Sequence, residues 1–276
     1  MNTTVTRSIS GIVFLAVMIG AILAGRYWFL FLFLLLAEGM LEEFFKMTLG
    51  KTHKAIRGMA MGIVCVAFAL VALVTGPGAL SAQYLALLPL MLVLLLATMV
   101  FKHQEFKENA YILAGLLYIG LPMILSPLVV SQPDGSYSGI LMLSFFILIW
   151  ASDTGAYCFG MLFGQKLWPA KLCPTISPKK SWAGAVGGMV ASLLAAWILC
   201  RVGWLPYPPV HVLVMAALMN VLGVCGDLFE SLWKRQFGLK DSGNLIPGHG
   251  GLLDRFDSAL FAIPAGYVYL LLFQLV

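Results

Sequence analysis

The sequence predicts an all-α, polytopic integral membrane protein with about nine transmembrane helices and a cytoplasmic amino terminus. Three observations lead there. Of the 276 residues, 61% are hydrophobic and 11% charged, with a mean hydropathy of +0.95, too little polar surface to solvate a water-soluble globule of this size. Apolar runs long enough to cross hydrocarbon recur along the whole chain. The basic residues alternate between connecting loops, dense on one side and sparse on the other.

The first run, Ile9 to Ala24, follows Arg7 and resembles the core of a signal peptide. Ile22 and Leu23 spoil the small-x-small pattern that cleavage would want, so an uncleaved first span is expected. Only Gly25 and Arg26 separate it from the second, Tyr27 to Glu43, the spacing of a tight hairpin. Gly58 to Gly76, Tyr84 to Phe101 and Ala110 to Val130 follow. The sixth run, Gly139 to Phe163, is interrupted by Asp153 and Thr154, and the seventh and eighth are Trp182 to Cys200 and Val210 to Leu228. The ninth is Phe256 to Val276. Pro89, Pro122 and Pro264 fall inside runs, where neighbouring helices can satisfy the backbone groups a proline frees. There is no internal repeat or low-complexity segment. The expected division is an N-terminal region, 1–138, of about five spans, and a C-terminal region, 139–276, that carries the chemistry.

Orientation follows from the loops. Arg7, then Lys46, Lys51, Lys54 and Arg57, then Lys102 and Lys107, then Lys166, Lys171, Lys179 and Lys180, then Lys234, Arg235, Lys240 and Arg255 share one side. Only Arg26 and Arg201 fall on the other, so the rich side is cytoplasmic and the carboxy terminus outside. The formal charge of +5 is scattered through these loops and forms no single basic face, which argues against nucleic acid as a partner. Cys65, Cys158, Cys173, Cys200 and Cys225 form no CxxC pair and read as reduced packing residues, not disulfides or zinc ligands. With this topology Asp153 stands roughly 21 Å along the sixth span, Asp227 at the inner end of the eighth, and Asp254 and Asp257 at the start of the ninth. Four carboxylates thus meet the cytoplasmic half of the bilayer, where nucleotides are found.

Three stretches carry chemistry. In "GDLFESLWKRQFG", a helix continued from the eighth span puts Asp227, Glu230, Ser231 and Lys234 on one stripe, with Arg235 about a hundred degrees round. Glu230 reads as an ordinary ion pair on a solvated helix end. Asp227, flanked by apolar residues, is costlier, ~2.5–3.5 kcal/mol near mid-bilayer and less near the interface. In "KDSGNLIPGHGGLLDRFDS", Gly243, Gly248, Gly250 and Gly251 permit positive φ and close backbone approach, leaving N–H groups to face phosphate. Asp254 and Asp257 at i and i+3, beside Ser258, offer hard oxygen ligands suited to Mg²⁺, with Asp227 as a third acid at the same depth. The plain alternative is N-capping by acids in a first turn. His249 reads as a phosphate or backbone contact, since zinc would want more N or S donors than this stretch supplies. In the third stretch, Gly160 and Gly164 form a GxxxG packing face. "SPKKS" then presents Ser177, Lys179, Lys180 and Ser181, suited to an anionic head group or a triphosphate, or else simply inner-side positive charge.

Ser231 to Ser258, "SLWKRQFGLKDSGNLIPGHGGLLDRFDS", resembles the signature of the phosphatidate cytidylyltransferase (CDP-diacylglycerol synthase) family, S-x-x-K-R-x4-K-D-x-G-x-x-x-P-G-H-G-G-x-x-D-R-x-D. "SDTGAY" and "PTISPKKS" resemble the family's upstream blocks, although Ala183 of "SPKKSWAG" stands where the family usually has a glutamate. The resemblance implies that CTP and phosphatidic acid give CDP-diacylglycerol and pyrophosphate in a bacterial inner membrane, with Mg²⁺ and room for a second, monovalent cation such as K⁺. It implies Asp227, Asp254 and Asp257 as metal carboxylates, and Ser231, Lys234 and Arg235 as phosphate contacts. Lys240, Asp241, His249, Gly250, Gly251 and Arg255 become members of a substrate-binding loop. Membrane lipids are the expected surroundings, and a homodimer stays open. Two rival readings remain: a CTP-dependent polyprenol or phytol kinase, and an ion-coupled transporter using Asp153 and Asp227 as a relay.

Overall fold

A backbone placed in hydrocarbon must satisfy its own N–H and C=O groups, and an α-helix does so within one segment. The apolar runs accordingly become helices in the computed structural model, which describes residues 3–50, 53–78, 80–101, 106–164, 167–248 and 250–276. Lys51, Lys102, Lys166 and His249 lie outside the described residues.

Helices α1 (Thr3–Ala24) and α2 (Arg26–Leu49) are joined by Gly25 alone, at φ 119°, a conformation that a side chain would strain. α3 (Lys54–Val74) follows, and a 3₁₀ turn, Ala82–Ala86, leads into α4 (Leu87–Phe101). α5 (Phe106–Gly115) and α6 (Leu121–Val130) are linked by a π turn at Leu116–Gly120. The widened turn sits just ahead of Pro122, which has no N–H to continue the ladder. Then come α7 (Ile140–Leu162), an antiparallel hairpin of β1 (Lys171–Cys173) and β2 (Ser177–Ser181), α8 (Trp182–Arg201) and α9 (Pro209–Gln236). The chain closes with the short α10 (Leu253–Phe256) and α11 (Ala259–Leu272).

The fold is all-α and polytopic apart from that hairpin. Among the described residues, seven helices are long and apolar enough to cross a membrane. Outside that set is α2, whose second half carries Glu38, Glu42 and Glu43. The last apolar run is broken at its start: Asp257 Oδ1 accepts the N–H of its neighbour Ser258 at 2.6 Å, a local bond that competes with the helical ladder. α11 therefore begins at Ala259 and is 14 residues long. Apolar side chains such as Ile12 and Val17 on α1, Val93 and Leu94 on α4, and Val190 and Leu194 on α8 are exposed, a surface suited to lipid and unsuited to water.

The chain forms two compact units, Met1–Gly139 with Asp241–Asp254, and Ile140–Lys240 with Arg255–Val276. In the first, Phe29 stacks on Phe33 at 4.0 Å, and the Arg26 guanidinium donates to the carbonyl of Ala72 and the hydroxyls of Thr75 and Ser131. That closes the orphan carbonyls at the end of α3. In the second, α7 and α8 approach at backbone distance: a Cβ on Gly155 would fall 2.5 Å from the Ala191 Cβ, and one on Gly184 2.9 Å from the Ala156 carbonyl. A Cβ on Gly160 of the GxxxG pair would stand an ordinary 3.8 Å from the Gly184 Cα. Asn220 on α9 donates to Ser152 Oγ on α7 at 2.6 Å, fixing these helices one residue from Asp153.

Candidate functional site

Helix α9 does continue through "GDLFESLWKRQ", so the acid stripe is real. Ser231 Oγ donates to Asp227 Oδ1 at a long 3.5 Å, and the Lys234 ammonium pairs with Glu230 one turn back. The surroundings differ from the expected solvated helix end: Glu230 is 0% exposed, and Ser231 and Lys234 are buried beside it. Arg235 points away and is exposed, donating to the Leu239 carbonyl at 2.7 Å across the turn at Gly238.

"SPKKS" is a strand, not a loop. Side chains alternate along a strand, so the two lysines part company: Lys179 is exposed, while Lys180 reaches Asp227, Nζ to Oδ2, at 2.5 Å. Ser177 is half-buried opposite Cys173, and Ser181 caps α8 by accepting the Gly184 N–H at 3.1 Å. Ala183 is buried in the first turn of α8. Of the residues expected here, only Lys180 meets the acid stripe.

Two more acids face that pair. Asp153 on α7 lies within Coulomb reach of Asp227, Lys180 and Arg255, and Asp257, between α10 and α11, within reach of Asp227, Glu230 and Asp153. Four carboxylates, those of Asp153, Asp227, Glu230 and Asp257, thus face three cations, Lys180, Lys234 and Arg255. All the donors in this acid group are hard oxygens, the kind Mg²⁺ takes. Among the described residues no three His, Cys, Asp or Glu side chains sit close enough together to share an ion. A magnesium ion needs only one or two protein carboxylates, with water and phosphate filling its other positions, so the residues present fit it.

The glycine-rich segment belongs to the first unit. Gly248 and Gly250 have φ of 76° and 85°, and Ile246 donates to the Gly250 carbonyl at 3.0 Å. Asp254 Oδ2 accepts the Ser242 N–H at 2.9 Å, the Ser242 hydroxyl at 3.1 Å and the Gly251 N–H at 2.7 Å. The Gly251 N–H is therefore engaged inside the loop. Lys240, Asp241 and Arg255 are exposed, and His249 is the one expected member outside the described residues.

A residue that spacing did not reveal holds this loop. Glu43 of α2 is buried, and its carboxylate accepts the Leu252 N–H at 2.9 Å, the Leu253 N–H at 2.9 Å and the Ser242 hydroxyl at 3.1 Å. The available signal was an acid at the end of an apolar run. Its partners lie about two hundred residues on, out of reach of any local pattern.

Residues 5–273 match the cytidylyltransferase family. The chain is similar to the phosphatidate cytidylyltransferase of Bacillus subtilis (strain 168), 37% identical over 195 residues, covering 71% of this chain and 70% of that protein. It is also similar to the enzyme of the same name from Staphylococcus saprophyticus, 33% identical over 262 residues, and to that of Staphylococcus aureus (strain COL), 31% over 262 residues. Each of those two matches covers 94% of this chain and 95% of the relative.

Proposed function

The chain belongs to the cytidylyltransferase family, and from that premise we propose that the acids and lysine gathered around Asp227 are where its reaction takes place. It transfers the cytidylyl group of CTP to phosphatidic acid, giving CDP-diacylglycerol and pyrophosphate for phospholipid synthesis. A phosphate oxygen of phosphatidic acid attacks the α-phosphorus of CTP, the bond from that phosphorus to the bridging oxygen breaks, and the electron pair leaves with pyrophosphate. The nucleophile is already an anion, so no side chain has to take its proton. What the protein supplies is positioning and electrostatic stabilisation.

The single observation that carries this reading is the Lys180–Asp227 pair with Asp153 and Asp257 in reach. A phosphate oxygen competes with Asp227 for the Lys180 ammonium, and the carboxylate so released is a ligand. Asp227 and Asp257 would hold Mg²⁺, with Asp254, three residues earlier in the chain, as the third acid of the signature and a monovalent cation such as K⁺ beside them. When bound, Mg²⁺ neutralises charge on the polyphosphate and the departing pyrophosphate. Ser231, Lys234 and Arg235 contact phosphate, and Ser177, Lys179, Lys240, Asp241, His249, Gly250, Gly251 and Arg255 line the approach of substrate. The chain crosses a bacterial inner membrane about nine times, amino terminus in the cytoplasm, with α2 and the last helix as the additional crossings. Residues 139–276 supply the reacting face, on the cytoplasmic side. Support for that orientation is the alternation of Lys and Arg between loops.

The test is pyrophosphate release from CTP by pure protein in detergent on addition of phosphatidic acid, with CTP labelled separately at the α and γ phosphates. The α label should enter lipid, and chelation of magnesium should stop the reaction reversibly. Entry of the γ label would make the protein a lipid kinase, and ion flux without product a transporter.

A further inference from the structure

Three hydrogen bonds from the segment Ser242–Leu253 converge on one carboxylate. Glu43 takes two successive backbone N–H groups, Leu252 on Oε1 and Leu253 on Oε2, each at 2.9 Å, and Oε2 also takes the Ser242 hydroxyl. Hydrogen bonds to an ionised acceptor are the strong kind. One turn earlier on α2, Gly39 leaves room for Leu252: a Cβ there would lie 2.9 Å from its Cδ2. Ser10 of α1 adds a further tie, donating to the Pro247 carbonyl at 2.9 Å.

The glycines of the loop record the same fit. Gly243 and Gly251 have no positive φ, so backbone conformation does not demand glycine there. Space does. A Cβ on Gly243 would stand 2.6 Å from Glu43 Oε1, and one on Gly251 would stand 2.1 Å from the Ser242 Oγ and 2.5 Å from Glu43 Oε2. The Ser242 hydroxyl lies 3.1 Å from both Glu43 Oε2 and Asp254 Oδ2 and has a single proton to give, so it couples the two carboxylates.

We infer that Glu43 is a positioning residue for cytidylyl transfer: it seats the turn immediately ahead of Asp254 and thereby sets the orientation of that carboxylate. It touches neither substrate. The inference rests on the reading above, in which Asp254 serves the reaction.

Glu43→Gln keeps the shape but turns one oxygen into an amide donor facing a backbone donor. In folded, detergent-solubilised protein, kcat should fall about 100-fold, the scale of a misplacement of about 1 Å at a reacting centre. The magnesium concentration for half-maximal rate should rise at least about tenfold while KM for CTP changes by less than about threefold, since only ground-state contacts set the latter. Exchange of the Leu252 and Leu253 amides with deuterium should speed up in step. A merely structural role would lower the yield of folded protein and leave kcat per folded molecule, magnesium response and amide exchange as in the wild type. That outcome overturns the inference. Should Glu43→Gln fail to fold, Gly243→Ala, whose Cβ would press on the Glu43 carboxylate and on no atom of Asp254, must shift the magnesium response in the same direction, and an unchanged response overturns it equally. Asp254→Asn separates the two levels: full turnover in that variant sinks the reading of the loop, whereas a dead Asp254→Asn beside a normal Glu43→Gln sinks only the role given to Glu43.

Discussion

Replacing Lys234 by Met should unfold the protein at markedly lower temperature. Glu230 is 0% exposed and its ammonium partner only 11%, so the substitution takes the cation away from a carboxylate in the interior, within Coulomb reach of Asp257. Removing one member of a buried ion pair costs about 3–5 kcal/mol, whereas replacing both by apolar groups of similar volume is neutral or stabilising. At about 2–4 °C per kcal/mol for a chain of this size, the midpoint should drop by roughly 6–20 °C. The double variant Glu230→Met, Lys234→Met should regain it. Turnover should not return with stability, because Lys234 is also assigned to phosphate. A lost charge-assisted hydrogen bond of about 1.5–3 kcal/mol leaves the double variant roughly 10–160-fold slow. Circular dichroism melts in detergent and pyrophosphate release measure the two quantities. A single variant melting within about 2 °C of wild type would refute the buried pair, and a double variant with wild-type turnover would remove Lys234 from the phosphates.

Along the α7–α8 contact, Gly155→Ala should cost about 1–3 kcal/mol by overpacking, since its Cβ would press on the Ala191 Cβ at 2.5 Å, while Gly160→Ala, with nothing nearer than 3.7 Å, should be near neutral. Folded yield and melting midpoint distinguish them, and equal behaviour would contradict the packing. Asp254→Asn keeps one oxygen for the donors of Ser242 and Gly251, so the protein should stay monodisperse in detergent yet lose turnover. Lys180→Met should change stability by less than about 1 kcal/mol, because Asp227 is 35% exposed, but should raise KM for CTP, and an unchanged KM would break the proposed exchange of Asp227 for phosphate.

The helices were legible because hydropathy and helical period are local properties. The apolar runs became helices, seven of them among the described residues long and apolar enough to cross a membrane, and the i, i+3, i+4, i+7 spacing of Asp227, Glu230, Ser231 and Lys234 told in advance which side chains would share a stripe. Burial of that stripe was not legible, since it depends on Asp257 and α11 packing against α9. The division of Lys179 from Lys180 was missed for a different reason. Five residues with a proline read as loop, and only pairing with Lys171–Cys173 makes them a strand with two faces.

The glycines of the signature show where local reading ends. Gly248 and Gly250 are glycine because their backbone turns left-handed, and Gly243 and Gly251 because the Glu43 carboxylate, joined at Gly251 by the Ser242 hydroxyl, fills the place of their side chains. In the sequence these two demands are written with the same letter. The first belongs to the loop itself, so turn chemistry can anticipate it. The second belongs to Glu43, whose bonds to Leu252 and Leu253 span more than two hundred residues of chain, and no spacing rule connects them. An acid at the end of an apolar run, costly there unless partnered, and a loop with more glycines than its turns require are each unremarkable alone. Together they state a single requirement: the surplus glycines make room for the acid, and the loop that carries them supplies the donors it must have.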